Sequence, residues 1–230
     1  MPAWITRTEL TGSSINVNGT NSHTCTFTAA TSGNFLVAVV AGAVTFTTPS
    51  GWTLHVSAVN NAGLYIFTKT ATGGESSFST THNGSNYPIR GVIYEFYAGT
   101  STIGTPTSDN IQNGTDSGPQ VTGLSGTYSR FSARSWGMSA VNSTSACAWT
   151  LPTIEDYDVY TPSANGSQDG VALTIAYDDG QTASTFTQSS TVSNSNTAPT
   201  RGESVSWALS VTSPPAAGTI ALNWVAGING

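Results

Sequence analysis

The sequence predicts an all-β protein: an antiparallel β-sandwich, jelly-roll-like, built from two similar halves. Three observations predict it. First, short apolar runs rich in Val, Ile, Leu and aromatics are bounded by Gly, Pro and Asn, as in Gly33-Asn34-Phe35-Leu36-Val37-Ala38-Val39-Val40-Ala41, which is the pattern of buried sandwich strands. Second, other stretches alternate apolar with small polar residues, as in Val205-Ser206-Trp207-Ala208-Leu209-Ser210-Val211, and alternation at period two gives a strand two unlike faces. Third, charged residues make up only 8% of the chain, against roughly 25% in an ordinary globular protein. Ser, Thr, Asn and Gly supply the polarity instead, a mix that suits strands and tight turns and is poor in helix formers. Six Trp, eight Tyr and eight Phe separate the chain from disordered sequences of similar polarity.

Taken in order, residues 4 to 28 hold two or three strands, with Asn18-Gly19 and Asn21-Ser22 as turn signals. The stretch Gly33 to Thr68 then gives a buried strand, a Pro49-Ser50-Gly51-Trp52 corner and the apolar strand Leu64-Tyr65-Ile66-Phe67. Gly73-Gly74 turns the chain into Ser76-Ser77-Phe78-Ser79-Thr80, a polar-faced strand suited to a sheet edge, and Asn83-Gly84 turns it again. In Arg90-Gly91-Val92-Ile93-Tyr94-Glu95-Phe96-Tyr97, Val92, Tyr94 and Phe96 share one face. Gly99 to Gly126 shows almost no apolar periodicity and reads as a long connection with one short strand near Pro119-Gln120-Val121-Thr122. Strands resume at Phe131–Trp136, at Val171–Tyr177 followed by an Asp179-Gly180 hairpin turn, and at Val205–Val211, whose Ser and Ala face away from the core.

The second half echoes the first. Phe46-Thr47-Thr48-Pro49 matches Trp149-Thr150-Leu151-Pro152 at an offset of 103 residues, and Gly63 matches Gly170 at 107. Phe78 matches Phe186 at 108, and Arg90-Gly91 matches Arg201-Gly202 at 111. An offset that only grows, in small steps, is what loop insertions between duplicated halves produce. The expectation is a sandwich over residues 1–215, with halves of about 1–105 and 106–215, followed by a tail at 216–230. Two such halves make either one two-sheet sandwich or two small ones in tandem. The first buries more edge and more core. In the tail, after Pro214-Pro215, Ile220, Leu222 and Trp224 share one face of a further strand. That strand either closes the sandwich or forms an arm that contacts a neighbouring subunit.

A net charge of −6, with six basic residues in all, cannot neutralise a row of phosphates, so no nucleic-acid partner is expected. No apolar run approaches the ~20 residues of a membrane span, and the start Met1-Pro2-Ala3-Trp4-Ile5-Thr6-Arg7 lacks the pattern of a signal peptide. Synthesis in the cytoplasm without membrane insertion is the expectation. Cys25 and Cys147 read as two buried thiols or as one disulfide, which spacing does not decide.

No catalytic, cofactor or metal set emerges. His23, His55 and His82 show no metal-ligand spacing, no serine sits in a Gly-x-Ser-x-Gly elbow, and no phosphate loop precedes a helix. The acids Glu155, Asp156, Asp158, Asp169, Asp178 and Asp179 gather in the second half. They fit solvated turns better than a Ca²⁺ loop. Trp52, Trp149 and Trp207 fall at core-like positions, whereas Trp4, Tyr87, Tyr97 and Trp136 are less constrained. Aromatics of the second kind suit sugar stacking, but no glycan-contact residue can be named. Five Asn-x-Ser/Thr sites read as turns rather than glycan acceptors.

Gly33-Asn34-Phe35-Leu36-Val37-Ala38-Val39, Pro49-Ser50-Gly51-Trp52-Thr53, Leu64-Tyr65-Ile66-Phe67-Thr68-Lys69-Thr70-Ala71 and Val92-Ile93-Tyr94-Glu95-Phe96-Tyr97-Ala98-Gly99 follow one another in a distinctive order. This order resembles the β-sandwich, jelly-roll-like domain of bacteriophage minor tail and other virion surface proteins, also met in some bacterial surface proteins. There a "GN-LLVA" strand precedes "P-GW", a "YK-A" strand and an "EY-G" strand. The likeness covers about residues 30–100 and weakens through 215. Phe67-Thr68-Lys69 replaces the usual tyrosine-lysine pair, and Phe96-Tyr97-Ala98-Gly99 is a looser last strand.

The resemblance implies a non-enzymatic virion structural protein on the particle exterior, as a minor tail protein or a capsid decoration protein. Such a protein is made and assembled in the host cytoplasm, which needs neither export signal nor disulfide framework. Its implied partners are other tail or capsid subunits and further copies of itself, in a homo-oligomer or in multiple copies on the particle. Weak adhesion to a host-surface glycan is compatible with that setting. The alternative is a carbohydrate-binding module or lectin from a bacterial surface protein. A jelly-roll hydrolase would need a convergent Asp/Glu pair in a groove.

Overall fold

The computed structural model describes residues 6–13, 21–42, 44–58, 63–82, 88–111, 115–117, 119–138, 145–149, 154–161, 170–187, 189–194 and 202–210. Every regular element among them is a β-strand, and every pairing is antiparallel. The fold is an all-β sandwich.

The first half contributes β1 (Thr6–Ser13), β2 (Asn21–Thr26), β3 (Phe35–Gly42), β4 (Thr53–Ala58), β5 (Gly63–Thr70), β6 (Ser77–His82) and β7 (Pro88–Phe96). Five of these form a sheet in the order β1-β7-β3-β5-β4, and β2 pairs with β6 in a separate two-stranded layer. The second half contributes β8 (Ser101–Ile111), β9 (Thr115–Ser117), β10 (Val121–Thr122), β11 (Tyr128–Met138), β12 (Ser145–Trp149) and β13 (Ile154–Thr161). It continues with β14 (Gly170–Gln181), β15 (Thr185–Phe186), β16 (Ser189–Asn194) and β17 (Gly202–Ser210). Its five-stranded sheet runs β8-β17-β11-β14-β13, with β12-β16-β9 and β10-β15 as outer pieces.

The two five-stranded sheets have the same connectivity, strand for strand, and the same register. Gly91 faces Val40 as Gly202 faces Trp136, and Leu64 faces Ala41 as Val171 faces Gly137. The outer layers agree as well: Phe46 bridges to His82 as Trp149 pairs with Ser190, and Cys25 pairs with Phe78 as Val121 pairs with Phe186. Among them, Phe46 and Trp149, Phe78 and Phe186, and Gly91 and Gly202 echo one another in the sequence.

The halves meet face to face through their large sheets. Alternate residues of β3, β5 and β7 (Val37, Val39, Leu64, Ile66, Val92, Tyr94) join those of β11, β14 and β17 (Phe131, Ala133, Leu173, Ile175, Val205, Trp207) in one central core. β4 lies against β8, and β13 and β14 against β7. Strand order therefore runs in opposite senses across the sandwich, as a twofold axis along the strands would place it. The remaining residues of β3 and β5 (Ala38, Val40, Tyr65, Phe67) pack under the β2–β6 layer with Cys25, Phe46 and Phe78. A stack of four layers results, which is why β3 is buried along its whole length.

The Pro49-Ser50-Gly51-Trp52 corner is a β-turn in which the Trp52 amide donates to the Pro49 carbonyl at 3.1 Å. Gly51 takes φ 77° at the third position, the left-handed site that a type II turn reserves for glycine. The turn lays the Trp52 ring edge-on against Phe78 at 4.9 Å.

Four features differ from expectation. Residues 101–111 form the long edge strand β8 rather than a connection. Among the described residues it pairs with β17 alone, with Gly104, Thr105 and Pro106 bulged out opposite Trp207. A one-sided ladder needs no apolar period, and a bulge tolerates proline. Asp179-Gly180 does not turn the chain: β14 continues to Gln181, and the extra residue is absorbed as a bulge opposite β11. Gly180 at φ 69° permits it. Asn21 opens β2 instead of a turn. The Ser and Ala face of β17 is not solvated either, since Ser204, Ser206 and Ala208 are buried. The Asn-Gly turns at 18–19, 83–84, 113–114 and 165–166 lie outside the described residues.

Candidate functional site

Polar and ionisable side chains inside a β-stack are where chemistry would concentrate, because burial without a partner is costly. Glu95, on the β2-facing side of β7, accepts the Asn34 amide at 2.6 Å and the Thr31 backbone N–H at 3.1 Å. It pins the loop that feeds β3. Glu75 accepts the Thr72 N–H and hydroxyl and the Gly73 N–H, and Lys69 lies 3.1 Å away. The Thr72 amide and hydroxyl, with Lys69 assisting, hold the Glu75 carboxyl well below the usual carboxylate range. At the far end of the second sheet Arg130 pairs with Asp178 at 2.8 Å, and the Ser129 hydroxyl donates to Asp179 at 2.6 Å.

The most distinctive polar group is Arg134, only 1% exposed, on the outer face of β11. Its Nη1 donates to the Ser190 carbonyl at 2.9 Å and to the Ser190 hydroxyl at 2.8 Å. Charge-assisted bonds of this kind are stronger than neutral ones, and these two clamp β16 onto the second sheet. Around them Ser132 and Ser206 share a hydrogen bond at 3.1 Å, and Trp149 Nε1 donates to Thr174 at 3.0 Å. In the first half the positions corresponding to Arg134 and Thr174 are apolar. There Ala38 pairs with Phe67 where Arg134 pairs with Thr174, and Val40 pairs with Tyr65 where Trp136 pairs with Ala172. At both positions the large and small residues have traded strands. Volume is conserved across each cross-strand pair while polarity changes.

His23 and His82 come together although 59 residues separate them. They occupy diagonal positions of β2 and β6, with Nε2 atoms 2.8 Å apart. The ring planes lie within 9° of parallel and the centroids 4.9 Å apart. The centroid separation exceeds the N···N distance by about two ring radii, so the rings meet edge to edge. The rings of Phe46 and His82 meet nearly at right angles, with centroids 5.7 Å apart. His55, at the bulge of β4, instead shares a 2.6 Å hydrogen bond with the Thr68 hydroxyl. Burial lowers the pKa of both His23 and His55. Sequence spacing gives no hint of the histidine pair; only the β2–β6 register does.

Among the described residues no three His, Cys, Asp or Glu side chains converge as a metal site would require. None of these residues forms a helix long and apolar enough to cross a membrane. Cys25 is buried, its thiol donating weakly to the Thr26 carbonyl, and burial pushes its pKa up. Trp136, which the sequence leaves unconstrained, is 1% exposed. Tyr97 is half-buried. Every aromatic side chain described is buried or half-buried, so no row of rings offers a sugar platform among them. Trp4, Tyr87 and Asp169, and the tail residues Ile220, Leu222 and Trp224, lie outside the described residues.

Comparison with family models, with curated proteins and with solved structures returns no match to this chain.

Proposed function

We propose that this chain is a non-enzymatic structural subunit on the exterior of a bacteriophage particle, either a minor tail protein or a capsid decoration protein, present in several copies. The observation that carries the reading is where the family-like residues lie. Gly33–Val39, Leu64–Ala71 and Val92–Gly99 supply β3, β5 and β7, the three inner strands of the first sheet, and Pro49–Thr53 supplies the corner that leads into β4. The likeness thus falls on the framework of the fold rather than on scattered surface positions. The buried polar groups support a structural role too, since Glu95 holds the loop that feeds β3 and Arg134 holds β16 on the second sheet. On this reading the subunit acts by shape and by many weak contacts, with copy number providing avidity. Synthesis in the host cytoplasm, partner tail or capsid subunits, and self-association through Ile220, Leu222 and Trp224 belong to the same proposal.

Light scattering on the full chain and on residues 1–215 tests the self-association. A defined oligomer that becomes a monomer on truncation is the expected result. A monomer in both forms would remove the assembly arm.

A further inference from the structure

We propose that the His23–His82 pair is an acid-sensitive latch: it holds the β2–β6 layer on the first sheet at neutral pH, and protonation releases it. The geometry allows one proton between the two facing Nε2 atoms, one ring donating and the other accepting across 2.8 Å. An extra proton can bind the donor ring only through its other nitrogen. A second would put N–H groups on both facing atoms and break the contact. The unfolded chain has no such restriction and takes a proton on each imidazole near the ordinary histidine value of about 6.5.

The described side chains of the surrounding core cluster are uncharged. On the elements packed around the pair, β2 contributes the Cys25 thiol and β5 the Tyr65 hydroxyl, which donates to the Val44 carbonyl. β3 contributes Ala38 and Val40, the adjoining segment Val44 and Phe46, and β7 Ile89 and Ile93. Arg90 pairs with Ala41 of the central core and so occupies the opposite face of β7. Glu95 is bound at the far end of that strand by Thr31 and Asn34. The β1 positions in register with Ile93 and Ile89 are Thr8 and Gly12, neither ionisable.

The sign follows. The folded layer binds fewer protons than the released one, so its stability is fully present above about pH 6.5 and is lost as pH falls below that value. Burial of His23 acts in the same direction. A two-stranded layer is marginal on its own, so loss of the latch uncovers the apolar face formed by Ala38, Val40, Tyr65, Phe67 and Ile93.

Hydrogen exchange of the full chain between pH 7.5 and 5.0, corrected for the intrinsic pH dependence of exchange, tests the latch. A deficit of one proton predicts that opening of β2 and β6 increases on the order of tenfold per pH unit once below the histidine range, while β11, β14 and β17 stay protected. The double variant His23→Gln, His82→Gln, whose amides can keep a hydrogen bond but take up no proton in this range, should lose that slope. The control His55→Gln should keep it. Flat protection of β2 and β6 in the wild type would overturn the proposal, as would an unchanged slope in the double variant. If the double variant does not fold, loss of the slope in His55→Gln overturns it instead.

Discussion

Phe131→Ala is expected to cost about 4 kcal/mol, within the range for emptying an aromatic site in a packed core. Phe131 stacks on Trp207 at 5.4 Å and on Tyr177 at 5.9 Å, and meets Phe96 edge-on at 5.7 Å and Tyr94 at 6.1 Å. Two of these partners come from the other half of the chain, so the ring joins both sheets. Truncation leaves a cavity that no single neighbour can fill, because each is fixed in a strand. For a chain of this size the loss corresponds to a fall in Tm of roughly 10 °C. Denaturant unfolding of the purified variant measures it, and a loss below about 1 kcal/mol would mean that the halves are not held through this cluster.

Arg134→Ala is the second large effect, expected near 3 kcal/mol. It removes the donor that satisfies both oxygens of Ser190 and empties a large buried site. The traded pairs suggest a remedy: the first half fills the corresponding volume with Ala38 and Phe67. The double variant Arg134→Ala, Thr174→Phe should therefore recover a substantial part of the loss, though not all of it. Ser190 stays without its donor, and Trp149 loses its acceptor. A double-mutant cycle measures the coupling directly. Strictly additive losses would show that the two layers are not built on one shared volume.

The sequence reveals most where one physical signal dominates. β3, β5, β7, β14 and β17 are legible because their apolar residues recur at the strand period and their ends carry Gly or Pro. The halves are legible because Phe46 and Trp149, Phe78 and Phe186, and Gly91 and Gly202 occupy matching register positions. β8 is not legible, because an edge strand is held by its backbone and its Thr and Ser side chains look like loop. The outer face of the second sheet misleads for a related reason. Ser132, Ser204, Ser206 and Thr174 have the composition of a solvated face, and only the layer above them, a tertiary feature, makes them interior. The histidine pair depends on which strands meet across 59 residues, information that local pattern does not carry.

The proposed role stands or falls on where the chain resides. Electron microscopy of purified intact particles, labelled with gold-tagged antibody against the folded chain, tests this most directly. Gold at regular positions on the tail or capsid exterior is the predicted result. A chain that stays in the soluble fraction of the lysate, with particles unlabelled, would contradict it.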